Sequence, residues 1–170
     1  CIKDPDAKAV ISRFKESMAK NKERGFIGIP TGLEFFISKN IEYIPGHLWM
    51  VGGYTSTGKT AFMVELLSRM FAISNPRVEI ISTEMTDEQL TARLAANKTE
   101  FGANAIWSGN LVGNHKDIAD DSLNFFSSKG YRLHDNIKTI DKVQNVVRKR
   151  HLQGGVDIVF IDFIQNLRKP

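Results

Sequence analysis

The stretch Gly53-Tyr54-Thr55-Ser56-Thr57-Gly58-Lys59-Thr60 satisfies every fixed position of G-x-x-x-x-G-K-[ST], the phosphate-cradling P-loop. Its flanks agree with it. The residues His47-Leu-Trp-Met-Val-Gly52 are short, apolar and strand-like, and Ala61 to Met70 carries helix formers with apolar residues at helical spacing. Gly53 and Gly58 permit backbone angles and a close approach that a Cβ would obstruct. Successive N–H groups of Gly53, Thr55, Ser56, Thr57, Gly58 and Ala61, with the helix N-terminus, then surround a phosphate. In this motif Lys59 reaches the β- and γ-phosphates and the Thr60 hydroxyl ligates Mg²⁺. The expected ligand is therefore a nucleoside triphosphate such as ATP, with Mg²⁺.

A nucleotide-binding core needs a sheet behind the loop. Val78 to Ser82 reads as the next strand, and Thr86 with Gln89 has the spacing of a capping box, opening a helix that runs to about Asn97. Glu84 is pinned between that strand's carboxyl end and that helix start. Ligands of open α/β sheets gather at this edge, so Glu84 is expected beside the P-loop. Tyr131 to His134 reads as a short strand, and helices are expected over 115–128 and 139–152. Val156 to Asp162 is the last strand. Its continuous apolar run, Ile158 to Ile161, is the pattern of a strand buried on both faces. Asp162 at its end suits the Walker B role of holding Mg²⁺ opposite the P-loop hydroxyl; Asp157 begins the strand and is the poorer candidate. The fold class expected is α/β, a mostly parallel sheet flanked by helices.

Lys59, Thr60, Glu84 and Asp162 together meet the needs of triphosphate hydrolysis: a cradle, a metal clamp and a carboxylate to orient or deprotonate water. A P-loop kinase has no need of Glu84 as a water activator. A GTPase should show N-K-x-D after a strand, and Asn97-Lys98-Thr99-Glu100 ends in Glu at a helix end.

Other stretches carry weaker signals. Residues 5–21 read as an amphipathic helix with Val10, Ile11, Phe14 and Met18 on one stripe, capped by Asp4 or Asp6, with Pro5 in its first turn and a polar break over 21–25. Leu33 to Ser38 reads as a short amphipathic piece. Phe101 to Asn114 is irregular, and Trp107 is expected to pack rather than to stack on a base. Arg148-Lys149-Arg150-His151 reads as favourable charge at a helix C-terminus and a solvated face. The net charge of +4 is a weak pointer to nucleic acid. No apolar run approaches membrane-spanning length and there is no secretory signal, while the one cysteine, Cys1, suits a reducing compartment. A cytoplasmic protein is expected. The start at Cys1 and the stop at Pro170, directly after a strand, suggest a piece of a longer protein.

The order of these motifs resembles the RecA-type ATPase domain of the replicative hexameric helicases, the DnaB family. Ile29-Pro-Thr-Gly32, Pro45-Gly46-His-Leu-Trp-Met-Val51, the P-loop with Ala61-Phe62, Ser82-Thr-Glu-Met-Thr86 with Glu88-Gln-Leu90 and Arg93-Leu94, and Ile161-Asp-Phe-Ile-Gln165 are each similar to the corresponding family motif. The resemblance implies a linker helix over 1–25 and a partial ATPase domain over 26–170. It implies Glu84 as catalytic carboxylate and Asp162 as Walker B residue. It also implies a hexameric ring joined through the N-terminal helix, single-stranded DNA and other replication proteins as partners, and the cytoplasm of a bacterial cell or a phage-infected host. The filling Tyr54-Thr-Ser-Thr57 and the aromatic segment 33–44 depart from the family pattern. The γ-phosphate-sensing glutamine, the DNA-binding loops and the arginine finger belong to later motifs, so this chain by itself is expected to hydrolyse ATP poorly. Two other readings share the P-loop: a non-unwinding ATPase of the RecA or KaiC type, and an assembly module in which nucleotide serves only as interface glue.

Overall fold

The computed structural model describes residues 6–25 and 27–168. Asp6 accepts a 2.7 Å hydrogen bond from the Ala9 amide and caps α1, Ala7–Arg24. Asp4 and Pro5 lie outside the described residues. The polar break expected over 21–25 is the helix's last turn. Lys22, Glu23 and Arg24 are helix formers, and the chain leaves the helix only at Gly25, with φ 79°. The apolar stripe of α1 faces outward, with Phe14 63% and Met18 54% exposed.

A small antiparallel pair follows: β1, Ile29–Pro30, against β2, Glu42–Tyr43. Between them lies α2, Glu34–Ile37, where the amphipathic piece was expected. Gly28 is required here, since a Cβ would sit 2.5 Å from the Tyr43 carbonyl oxygen. The Glu42 carboxylate accepts from the Ile27 and Gly28 amides at 2.9 and 2.7 Å, fixing the entry turn.

The main sheet is parallel and three-stranded, in the order β4-β3-β5, with β3 Val78–Ser82 between β4 Tyr131–His134 and β5 Ile158–Asp162. Register pairs Ser82 with Asp162, so both carboxyl ends finish at one edge. One face packs against α3 (Lys59–Ile73), α4 (Asp87–Asn97) and α6 (His115–Ser127). Val78, Ile80, Leu67, Met70, Phe71, Leu90, Leu94 and Phe126 form that core. The other face puts Ile81, Val159 and Ile161 against Val143 and Val146 of α7, Ile140–Leu152. Alternation along β3 and β5 thus serves two layers of helix, as buried parallel strands must.

Two expectations are corrected. Residues 47–52 form no strand. Leu48, Met50 and Val51 are 86%, 79% and 52% exposed, and the segment is held by Trp49 against Tyr43 and Phe36, with ring centroids 4.7 and 5.7 Å apart. As a result β5 lies at the sheet's edge. Residues Ile158 to Ile161 are only half-buried, whereas all five residues of β3 are buried. An apolar run cannot reveal whether a second neighbour pairs beside it. The irregular stretch 101–114 contains one short helix, α5, Ala103–Ser108, ended by Gly109 at φ 70°.

Candidate nucleotide site

The loop before α3 is built by its own hydrogen bonds. Thr57 Oγ1 donates to the Tyr54 carbonyl at 2.7 Å, and Ser56 takes a left-handed φ of 64°. A Cβ on Gly53 would lie 2.7 Å from Thr57 Oγ1, so the loop closes only over glycine. Gly58, at φ 90°, turns the chain into α3, whose N-terminus carries no side-chain cap. The amides of its first turn have no intrahelical acceptor, and an anion at the helix N-terminus is the natural one for them. Lys59 Nζ donates to the carbonyls of Gly53 and Tyr54 at 2.9 and 2.8 Å, which places its charge across the same loop.

The sheet delivers the second half of the site. Asp162 ends β5 on the α3 side, is 8% exposed, and its Oδ2 accepts a 2.6 Å hydrogen bond from Thr60 Oγ1. Thr83 stitches the two strand ends together. Its amide donates to the Asp162 carbonyl at 2.8 Å, and its hydroxyl accepts from the Phe163 amide at 3.0 Å. Lys138 donates to the Thr83 carbonyl at 2.8 Å from the opposite side. Glu84 follows, exposed, before Thr86, and the capping box of Thr86 and Gln89 that starts α4 is complete in both directions.

These elements enclose one cleft of about 840 Å³. Every residue expected at the site except Thr57 lines it: Gly53, Thr55, Ser56, Gly58, Lys59, Thr60, Ala61, Glu84 and Asp162. Thr57 acts behind the loop, through its bond to Tyr54. The volume suits a drug- to nucleotide-sized ligand. The donor set suits Mg²⁺, which is held by one or two oxygen side chains and completed by phosphate and water. Among the described residues there is no cluster of three or more His, Cys, Asp or Glu that would bind a metal without such a ligand.

Two charged residues have structural roles at other places. Asp157 accepts from the Arg77 amide at 2.7 Å and from its guanidinium at 2.7 and 3.0 Å, and those bonds, with the attraction of the carboxylate, raise the guanidinium's pKa. This pair ties the start of β5 to the start of β3, at the opposite end of the sheet from the cleft. Arg150, expected on a solvated face, instead turns inward: its Nε is 2.9 Å from Oε1 of Glu79, a β3 side chain 1% exposed, whose other oxygen lies 2.7 Å from His134 Nε2. The Arg150–Glu79 contact is close but poorly aligned for a hydrogen bond, so it holds by charge.

Sequence reasoning did not anticipate the far wall of the cleft, where Gln89, Ala92 and Arg93 of α4 meet Ala103, Asn104 and Trp107 of α5. Their spacing, i, i+3, i+4 on α4 and i, i+1, i+4 on α5, was the available signal, but such spacing is shared by any helix face.

Comparisons with known proteins agree with this architecture. Residues 28–170 match the model of the DnaB-like helicase C terminal domain. A probable plasmid replicative DNA helicase of Chlamydia muridarum (strain MoPn / Nigg) is 26% identical over 160 residues, 92% of this chain and 36% of that protein. The replicative DNA helicase DnaB of Nostoc sp. (strain PCC 7120 / SAG 25.82 / UTEX 2576) is 27% identical over 163 residues, 94% of this chain and 18% of its own length. This chain thus spans about a third or less of these relatives. A solved ATPase domain superposes with a TM-score of 0.79 at 20% identity, covering 96% of this chain and 60% of that one. A structure described as a DnaB-like replicative helicase and its interactions with primase superposes at 0.73 and 19% identity, covering 97% and 40%.

Proposed function

Because this chain belongs to the DnaB-like helicase C-terminal domain family, we propose that it is the ATP-binding and hydrolysing motor core of a replicative DNA helicase. The observation that carries the reading is the Thr60–Asp162 hydrogen bond, which joins the P-loop to the Walker B strand within the cleft that also holds Lys59 and Glu84.

The residues take the following roles. The amides of the loop and of the first turn of α3 bind phosphate oxygens. Lys59 exchanges its two carbonyl acceptors for the β- and γ-phosphates. Thr60 and Asp162 hold Mg²⁺, which when bound neutralises charge developing on the phosphates. Glu84 has no ion pair or hydrogen bond among the described residues, so its carboxylate is free to orient the attacking water and accept its proton. The buried clamp at Thr83 keeps Asp162 and Glu84 at one height on the sheet edge.

Residues 1–25 serve as a linker and 26–170 as the ATPase domain. The outward stripe of Val10, Ile11, Phe14 and Met18 packs against the adjacent subunit of a hexameric ring. Single-stranded DNA is the track, and a primase is a fitting partner, given the structural relative described with one. The protein works in the cytoplasm; no helix among the described residues is long and apolar enough to cross a membrane.

The test uses the longer protein that carries this sequence. Strand displacement and phosphate release are measured with Mg-ATP for the wild type, Lys59→Ala and Glu84→Gln. Both activities should vanish in both variants, and Glu84→Gln should still bind ATP. Phosphate release without strand displacement by the wild type points to a non-unwinding ATPase. Nucleotide-dependent oligomerisation with no release points to an assembly module. Unchanged unwinding in either variant would show the site assignment to be wrong.

A further inference from the structure

We infer that Trp107 is the nucleobase platform of the cleft, an assignment that rests on the nucleotide-binding reading above. The P-loop, Thr60 and Asp162 account for the triphosphate end only. The cleft continues beyond it to a second wall, where α5 lies across α4. Trp107 is on that wall, on the same helical face as Asn104, and 53% of its surface is exposed.

The two tryptophans of the chain differ in a way that packing alone does not explain. Trp49 is locked between Tyr43 and Phe36 in the aromatic layer. Trp107 makes no ring contact among the described residues, yet lines both the nucleotide cleft and a neighbouring groove of about 600 Å³. A large indole left half in water is an uncompensated apolar surface. Ala92 of α4, on the same wall, adds only a methyl group beside it. Asn104 brings a side-chain amide with a donor and an acceptor suited to the edge of a base, and Gln89, whose oxygen accepts from the Thr86 amide, brings its NH₂ donor. A π-face with amides beside it, in the same cleft as a phosphate cradle, is the chemistry that recognises a purine nucleotide.

The experiment compares Mg-ATP with Mg-tripolyphosphate, a ligand with the phosphates and no base. Affinities are measured by calorimetry for the wild type, Trp107→Ala, Trp107→Phe and Lys59→Ala. Stacking on an aromatic side chain predicts that Trp107→Ala weakens ATP binding about tenfold or more and leaves tripolyphosphate unchanged. Trp107→Phe, which keeps a smaller π-face, should restore ATP affinity to within about threefold. In a Trp49→Phe background, emission from Trp107 should change on adding ATP and not on adding tripolyphosphate. Equal affinity of wild type and Trp107→Ala for ATP overturns the assignment while leaving the phosphate site intact. Equal loss of both ligands in Trp107→Ala also overturns it, since the residue would then act on the fold. Failure of the wild type to bind either ligand, or of Lys59→Ala to weaken both, sinks the nucleotide reading itself.

Discussion

Thr60 Oγ1 donates to Asp162 Oδ2 at 2.6 Å across 102 positions of sequence. Each residue sits at the end of an element that points at the same cleft: Thr60 in the first turn of α3, Asp162 at the last position of β5. On the proposed reading these two side chains are the protein's ligands to Mg²⁺, and removing either would take one away. Thr60→Ala and Asp162→Asn should each lower phosphate release about 100-fold or more, the cost of losing one preorganised group at a developing charge. Steady-state release assayed over a Mg²⁺ titration checks this. Added Mg²⁺ should recover part of the loss in Thr60→Ala and little in Asp162→Asn, where the charge itself is gone.

Glu79 is a buried carboxylate at the centre of the sheet, 2.9 Å from the Arg150 guanidinium and 2.7 Å from the His134 ring. Arg150→Met strands that buried charge and should cost about 3–5 kcal/mol of unfolding free energy. Chemical denaturation measures it. The double change Arg150→Met with Glu79→Leu should recover most of the loss, because the pair is then replaced by apolar packing.

Tyr43 is 9% exposed, packed against Trp49 and Phe160, and its hydroxyl has no hydrogen-bond partner among the described residues. Burial pushes its pKa up to about 12. The folded pKa is raised, so the favourable contribution is whole below the unfolded value of about 10 and is lost as pH climbs from there through 12. Tyr43→Phe should abolish that alkaline loss. At neutral pH it should be neutral or stabilising by up to about 1 kcal/mol, since an unpaired buried hydroxyl is removed. Thermal melts from pH 7 to 11.5 separate the two effects.

Glu65 on α3 bonds to Asn97 at the end of α4 at 2.8 Å and pairs with Arg69. The Asn97 bond first, then Arg69, holds its carboxyl below the ordinary value. A lowered folded pKa contributes stability above the unfolded value of about 4.3, and that stability is lost as pH falls through the folded value. Glu65 is partly exposed, so solvent screens the effect. Glu65→Gln should cost under about 1 kcal/mol at pH 7 and show a shallower acid limb in melts between pH 5 and 3.

Much of the site was legible because its signals are local. The P-loop writes its glycines, lysine and threonine within eight positions, and Thr86 with Gln89 announces a helix start in four. The strand ends at Ser82 and Asp162 could be placed at one edge because parallel strands share their carboxyl side, and the register confirms it. Residues 47–52 misled, since their apolar character reads as a strand although pairing depends on a distant neighbour. Arg150 misled in the opposite sense: the basic run around it matches a solvated helix end, and its partner lies 71 positions away on β3.

The sequence by itself determined the chemistry of the loop, the kinds of element around it and their order, because backbone propensity, capping and glycine placement act within a few residues. The position of Asp162 at a strand's carboxyl end already favoured it over Asp157 for the cleft, but only the tertiary structure decided what each carboxylate meets and which charges serve the frame. Asp162 meets Thr60, whereas Asp157 is taken up by Arg77 at the opposite end of the same strand and Arg150 by Glu79 beneath the sheet. It likewise decided that Trp107 stands in the cleft and Trp49 in the core. The physical reason is that a charge or an aromatic ring is satisfied by whatever the packed fold brings within a few ångströms, and that neighbour is rarely near in sequence.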